Sequence, residues 1–389
     1  MNLPRLLYVG PAIEPSFGGS ALLYKLLQDY PRERLVSVEM QLSGMVKLKN
    51  TFGCRSILIA RPPARLGPRA HTLFDLTLLY GRHVWANWLN WRLQDYRFEA
   101  VVGVTHGWLC EVGLLLAHKR KVPFHAIIHD HAQNTLPAPR GLSHYRQRRW
   151  ERLCRLADSR LCVSPYMAEA VNKIGGLPSV VLYPGLAPGT ELKVWSPPAR
   201  SNGAANLTFG FIGTVHPGYR EMILSFGEVL QAAGHRLMLH SPGAAELATL
   251  QPRGLVNGGW IPTEAVAKTL QQETDALFLP MSFHESDAPN MRVSFPSKIV
   301  EYCAAGRPVL IWGPHYCSAV RWAKEHPGFA EVVETNVEQD VLAAVRRLED
   351  AAVREKAGRK SLELANTYFS HENTFGVFSK VLSQKSFNH

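Results

Sequence analysis

The stretch VVLYPGLAPGTELKVWSPPARSNGAANLTFGFIG, residues 180–213, changes character twice along its length. It begins with an apolar run of strand length and passes into residues 186–206, rich in Pro, Gly, Ser and Ala, which read as a linker. At Leu207 it resumes as a second apolar run ending in Gly213. Upstream the same kind of run recurs as RLLYVG, RLVSVEM, SILIA, AVVGV, FHAIIHD and SRLCVS, several of them separated by segments of helical length. Downstream it recurs as HRLMLHS, LVNGGWI, ALFLP, PVLIWG and AEVVE, followed by a helical tail from about Val337. Alternation of this kind is the rhythm of βαβ units and a parallel sheet. The chain therefore reads as α/β, with two Rossmann-like domains facing each other across a cleft. The boundaries expected are 1–190, a linker at 191–206, 207–365, and a helical tail at 366–389, free or returning to the first domain. No close internal repeat accompanies the two halves, so the likeness is one of pattern.

Composition agrees with two cores. The chain has 389 residues, 46% hydrophobic and 19% charged, which suits two globular domains and leaves no low-complexity tract. Six scattered cysteines form no CxxC pair, and several sit in apolar runs, so buried reduced thiols and a cytoplasmic setting are expected. MNLPRLLYVG reads as a strand with no signal-peptide signature, and no later segment has the length of a membrane span. Net charge is +11. Residues 1–195 carry 25 Lys and Arg against 13 Asp and Glu, and the remainder 18 against 19, so the whole excess lies in the first half. Either that half has a solvated basic surface, or it meets an anionic partner such as a membrane surface or a lipid phosphate; nucleic acid is not the expected partner.

Ligands of open α/β sheets bind beyond the carboxyl ends of the strands, and two hinged domains place them in the cleft between. Three places qualify. After the first strand, Gly18 and Gly19 open a helix without the GxGxxG spacing, so they are either a turn pair or a point of close ligand approach. At the end of FHAII stand His129, Asp130 and His131. The His-x-His spacing would put two imidazoles on one strand face, but two ligands without a third make weak metal evidence, and a single cleft-facing His129 is preferred. After Gly213, a turn with His216 leads to Arg220 at a helix start, where a cation is favoured only with a bound anion.

SFPSKIVEYCAAGRPVL, residues 294–310, adds a fourth place. Pro296 suits the first turn of a helix and Gly306 its end. Ile299, Tyr302 and Cys303 share an apolar face, whereas Lys298 and Glu301 share another. A lysine in the first turn opposes the helix dipole. Either the two form an exposed ion pair, or an anion at the N–H groups near Ser297 and Lys298 is met there, with Glu301 accepting bonds from ribose hydroxyls.

FPSKIVEYCAAGRPVLIWG resembles the donor-nucleotide motif of retaining glycosyltransferases of family 4 and their relatives, which have the two-Rossmann GT-B architecture. IIHDH, SRLCVSPYMAEAV ahead of VVLYPG, FGFIGTV and GGWIPTEAVAKTLQQETDALFLP extend the resemblance in order and spacing. It implies that Glu301 holds the ribose of a nucleotide sugar, that a basic pair holds the diphosphate, and that His129 lies by the transferred sugar. It also implies that Ile261 meets the base through its backbone. Two positions depart from the family: Val293 stands where many members have a second glutamate, and Thr214 follows Gly213 where an arginine is usual, leaving Arg220 and Lys298 as the basic pair.

The implied activity is metal-independent transfer of a sugar from a nucleotide-diphosphate sugar to an acceptor hydroxyl with retention, and no cofactor beyond the donor is expected. Asp-x-Asp occurs nowhere in the chain. The expected site is His129, Arg220 and Lys298 for chemistry, with Gly18, Gly19, Gly213, Ile261, Ser297 and Glu301 for the donor, and no metal ligands. The acceptor is a glycan, a lipid phosphate or a small molecule. A nucleotide-sugar 2-epimerase of the same fold and a non-catalytic binding protein are the alternatives.

LLYGRHVWANWLNWRL bears on the acceptor. Val84, Trp88 and Trp91 recur at helical spacing, Trp85 and Leu89 widen that face, and Arg82 and Arg92 flank it. YRQRRWERLCR, from Tyr145 to Arg155, has the same basic and aromatic character. Either these tryptophans fill the first domain's core, or they dock it on an anionic membrane, with Arg146, Arg148 and Arg149 facing the lipid.

Overall fold

The computed structural model describes residues 3–15, 18–40, 52–136, 141–192, 194–197, 206–215, 217–242 and 254–384; His216 lies outside them. Contacts divide the chain into two units. The first comprises Met1–Pro188, Val293–Phe295 and His371–His389, and the second Gly189–Arg292 and Pro296–Ser370.

The first unit holds strands β1 (Leu6–Pro11), β2 (Leu35–Met40), β3 (Arg55–Ile59), β4 (Ala100–Val104), β5 (Phe124–Ile128), β6 (Ser159–Cys162) and β7 (Val180–Val181). They form one sheet in the order β3-β2-β1-β4-β5-β6-β7, every neighbouring pair parallel. Strands β1, β2, β4 and β5 are buried along their whole length, because helices cover both faces of such a sheet and alternate apolar and polar positions would leave one face unsatisfied. The order reverses between β1 and β4, which makes their carboxyl ends the topological switch point. Helix His371–Leu382, from the far end of the chain, completes this unit: Phe378, Val381 and Leu382 join a core with Leu23, Leu26 and Leu27 of helix Gly18–Leu27.

The second unit holds β8 (Thr208–Ile212), β9 (Arg236–His240), β10 (Leu255–Asn257), β11 (Ala276–Pro280), β12 (Val309–Trp312) and β13 (Ala330–Val333). Their order is β10-β9-β8-β11-β12-β13, again all parallel, with the reversal between β8 and β11. Phe209, Phe226, Phe278 and Trp312 lie in its core, with Phe226 and Phe278 stacked at 3.9 Å between centroids. The strands expected from the apolar runs are thus all present, in two Rossmann-like sheets. All six cysteines are buried free thiols.

Candidate active site

In the second unit the helix Lys298–Ala304 begins two residues after Pro296, whose carbonyl accepts from the Ile299 N–H at 3.0 Å. Its end is set by Gly306, whose φ of +63° is the left-handed conformation that only glycine takes without strain. Ile299, Val300, Tyr302, Cys303 and Ala304 are buried. Tyr302 does more than fill the core. Its hydroxyl donates to the Phe278 carbonyl at 3.0 Å and accepts from the Ile212 N–H at 3.3 Å, so one oxygen ties the helix to β11 and to the last residue of β8.

One turn earlier on the same helix, Lys298 is half-buried beside the end of β8. Its Nζ lies 5.1 Å from the centroid of Phe211 and 6.0 Å from that of Tyr219. A Cβ on Gly213, which has φ +99°, would sit 3.2 Å from Lys298 Cε and 3.7 Å from Nζ. Among the described residues Lys298 has no carboxylate partner. Burial pulls its pKa down to about 8, since a low-dielectric site disfavours the charged form. An exposed ion pair on a helix surface is therefore not what Lys298 makes.

Of the other expected site residues, Ser297, Glu301, Arg220 and Ile261 lie in this unit, whereas Gly18 and Gly19 lie in the first. Ser297 precedes Lys298 and offers no side-chain cap. Glu301 is half-buried one turn on. Arg220 is exposed in the first turn of helix Pro217–Ala232, next to Tyr219. Ile261 follows β10 beyond Gly258 and Gly259, where the Gly259 N–H donates to Asn257 Oδ1 at 2.9 Å. Thr214 is exposed. Lys298 lies against the space that a side chain on Gly213 would enter, and Ile261 follows β10, the strand two positions from β8.

In the first unit, Gly18 and Gly19 open helix Gly18–Leu27 after β1. A Cβ on Gly19 would make only ordinary contact, 3.8 Å from His106 Cε1 and 3.9 Å from His129 Nδ1, so no neighbour within the chain demands glycine there. His106 and His129 follow β4 and β5, and their rings meet edge to face at 5.7 Å. His106 Nε2 is 3.4 Å from Asp130 Oδ2. His129 Nδ1 is buried with no hydrogen-bond partner among the described residues. Burial, then the neighbouring His106, lowers the His129 pKa to about 4.

His131 goes elsewhere, correcting the one-face geometry expected of His-x-His. Strand β5 ends at Ile128, and His131 becomes the cap of helix Ala132–Thr135, accepting from the Gln133 N–H at 3.4 Å with its ring by Trp150. Burial and then Arg146 lower its pKa. Among the described residues no three His, Cys, Asp or Glu side chains gather as metal ligands would. Val293 keeps its side chain buried, and its carbonyl accepts from Ser164 Oγ at 2.6 Å.

Sequence reasoning missed His106 and the role of Tyr302. A histidine two residues past AVVGV, on the strand beside β1, was a readable signal for His106. A tyrosine among apolar helix residues gave none.

Residues 53–188 match the model of Glycosyltransferase Family 4. Among solved structures, sucrose-phosphate synthase from Thermosynechococcus elongatus is similar at 15% identity with a TM-score of 0.69, over 97% of this chain and 98% of that one. Anabaena HepE in complex with UDP and glucose is similar at 15% identity and a TM-score of 0.67, over 98% and 100%. A trehalose-6-phosphate synthase analysed for glycosyl transfer with retention is similar at 14% identity and 0.63, over 98% and 99%. A search of curated proteins finds no match. The chain has the two-Rossmann GT-B fold of these transferases and, over residues 53–188, is similar to glycosyltransferase family 4.

Proposed function

We propose that this protein transfers a sugar from a nucleotide-diphosphate sugar to an acceptor hydroxyl, with retention of configuration and without a metal. The observation that carries the reading is the ammonium of Lys298, held half-buried against Phe211 and Gly213 at the switch point with no carboxylate partner among the described residues. A charge kept there at a cost to the fold is accounted for by a phosphate that restores its stability. Gly213 is assigned to close approach of the donor, and Ile261, which follows β10 two positions from β8 in the sheet, to its base. Glu301 is assigned to the ribose hydroxyls, and Arg220 with Lys298 to the departing diphosphate, whose charge grows as the bond breaks.

In the first unit, neutral His129 is assigned to the transferred sugar, with Gly19 leaving room beside it. The bond between the anomeric carbon and the phosphate oxygen breaks as the acceptor oxygen attacks from the same face, and the acceptor proton passes to that phosphate oxygen. No protein nucleophile is required. HepE, whose structures hold UDP, UDP-glucose, or UDP with glucose, makes UDP-glucose the first donor to try.

Thermal shift against a panel of nucleotide sugars, followed by assays of transfer, donor hydrolysis and epimer formation, tests the reading. Stabilisation by one donor together with transfer of its sugar supports it. Epimer formation without transfer makes the chain a 2-epimerase, and binding without turnover makes it a binding protein.

A further inference from the structure

The first unit wears apolar side chains on the outside of two consecutive helices. Helix Gly67–Tyr80 exposes Leu73 (65%) and Tyr80 at i and i+7, and helix Arg82–Arg92 exposes Val84 (72%), Trp88 and Trp91 (59%) at i, i+4 and i+7. The opposite sides of these helices bury Leu78, Leu79, Ala86 and Leu89. Both helices are thus apolar on two sides, which folding alone does not need. The exposed set continues onto Leu58 of β3, the edge strand, where Leu58, Val84, Trp85 and Trp88 line one apolar groove. It also reaches helix Ser143–Leu156, through Tyr80 stacked on Tyr145 at 6.0 Å.

Charge on this surface is mostly positive, although Arg55 of β3 is paired with exposed Asp95 and Glu151 lies on helix Ser143–Leu156. Residues 53–92 contain six arginines and one acidic residue, Asp75, which is buried and paired with Arg61. Arg65 and Arg69 are exposed with no acidic partner among the described residues. Arg148 and Arg152 on helix Ser143–Leu156 are likewise exposed. Part of the sequence reading is corrected here. Arg149 is buried in an ion pair with Glu111, Trp150 is buried, and Leu89 faces inward, so none of them belongs to the surface.

We infer that this face docks the protein on an anionic phospholipid bilayer. Exposed tryptophan and tyrosine among unpaired arginines match the headgroup boundary, where aromatic rings sit at the interface and cations meet lipid phosphates. A soluble anion explains the arginines but not the apolar face; a second copy of this chain explains the apolar face but sets like charges against each other.

The test uses the full chain and sedimentation with vesicles of phosphatidylcholine alone or mixed with phosphatidylglycerol. Binding is expected to the mixed vesicles only, to weaken as salt is raised, and to shift tryptophan emission to the blue. Each of Arg65→Gln and Arg69→Gln weakens it about fivefold, and Trp91→Ser about tenfold or more. The unfolding temperature stays at the parent value in all three. Equal binding to both vesicle types, binding to neither, or a salt-resistant dimer that Trp91→Ser dissolves overturns the inference.

Discussion

An ammonium held among aromatic rings and a glycine costs the folded state whatever its pKa does not recover. Lys298 titrates at 10.5 in an unfolded chain and near 8 here. Below about pH 8 both states carry the charge and the fold bears the full cost. Between about 8 and 10.5 the unfolded chain binds more protons, so stability climbs with pH, and above that window the cost is gone. Replacing Lys298 by Met is therefore expected to stabilise the protein at pH 7 by on the order of 2 kcal/mol once screening is allowed for. The gain fades towards pH 10, while turnover falls; thermal unfolding at the two pH values and a transfer assay check it. Glu301→Ala is expected to weaken donor binding by roughly 1.5 to 3 kcal/mol, the loss of hydrogen bonds to a charged group, as measured by calorimetry. Binding at the parent affinity removes Glu301 from the site. His129, with its pKa down at about 4, is neutral throughout the physiological range and acts as a hydrogen-bonding group without charge. His129→Ala should lose transfer and keep nucleotide affinity, and unchanged transfer kinetics would remove it from the sugar.

The helix Lys298–Ala304 is short, and its position depends on what it is fastened to. Tyr302 fastens it to β8 and β11 with one oxygen. Tyr302→Phe leaves the Ile212 N–H without that bond and is expected to cost about 1 to 3 kcal/mol. It should lower kcat more than nucleotide affinity, because Lys298 is one turn away and its placement matters most as charge develops. A drop in stability with unchanged kcat would make the tyrosine a core residue only. Elements of this kind mark the limit of what the sequence reveals. The strands were legible because a sheet covered on both faces demands uninterrupted apolar runs, and β4 and β12 are such runs. Lys298 and Glu301 stood out as charges inside an apolar segment. Tyr302 did not, since its hydroxyl is spent on carbonyl and amide groups from distant strands. For the same reason Arg149 was assigned to the surface: a run of arginines gives no hint that Glu111, on another helix, claims one of them.

At the scale of the whole chain, the first unit is assembled from segments far apart in sequence. Phe378 is fully buried in a core shared with helix Gly18–Leu27. Phe378→Ala is expected to destabilise by about 3 to 5 kcal/mol. Hydrogen exchange should rise in helix Gly18–Leu27 and β1, while β8 and β11 keep their protection. Uniform loss across both sheets would mean that the two units unfold together. During synthesis the same feature imposes an order of events. The ribosome makes the first sheet early, but the helix that covers part of it emerges only after the entire second sheet has been translated. Leu23, Leu26 and Leu27 therefore wait with a face open to solvent while about 350 residues follow them. Such a nascent chain is exposed to aggregation while the second sheet is made, and it has reason to engage a chaperone until helix His371–Leu382 arrives.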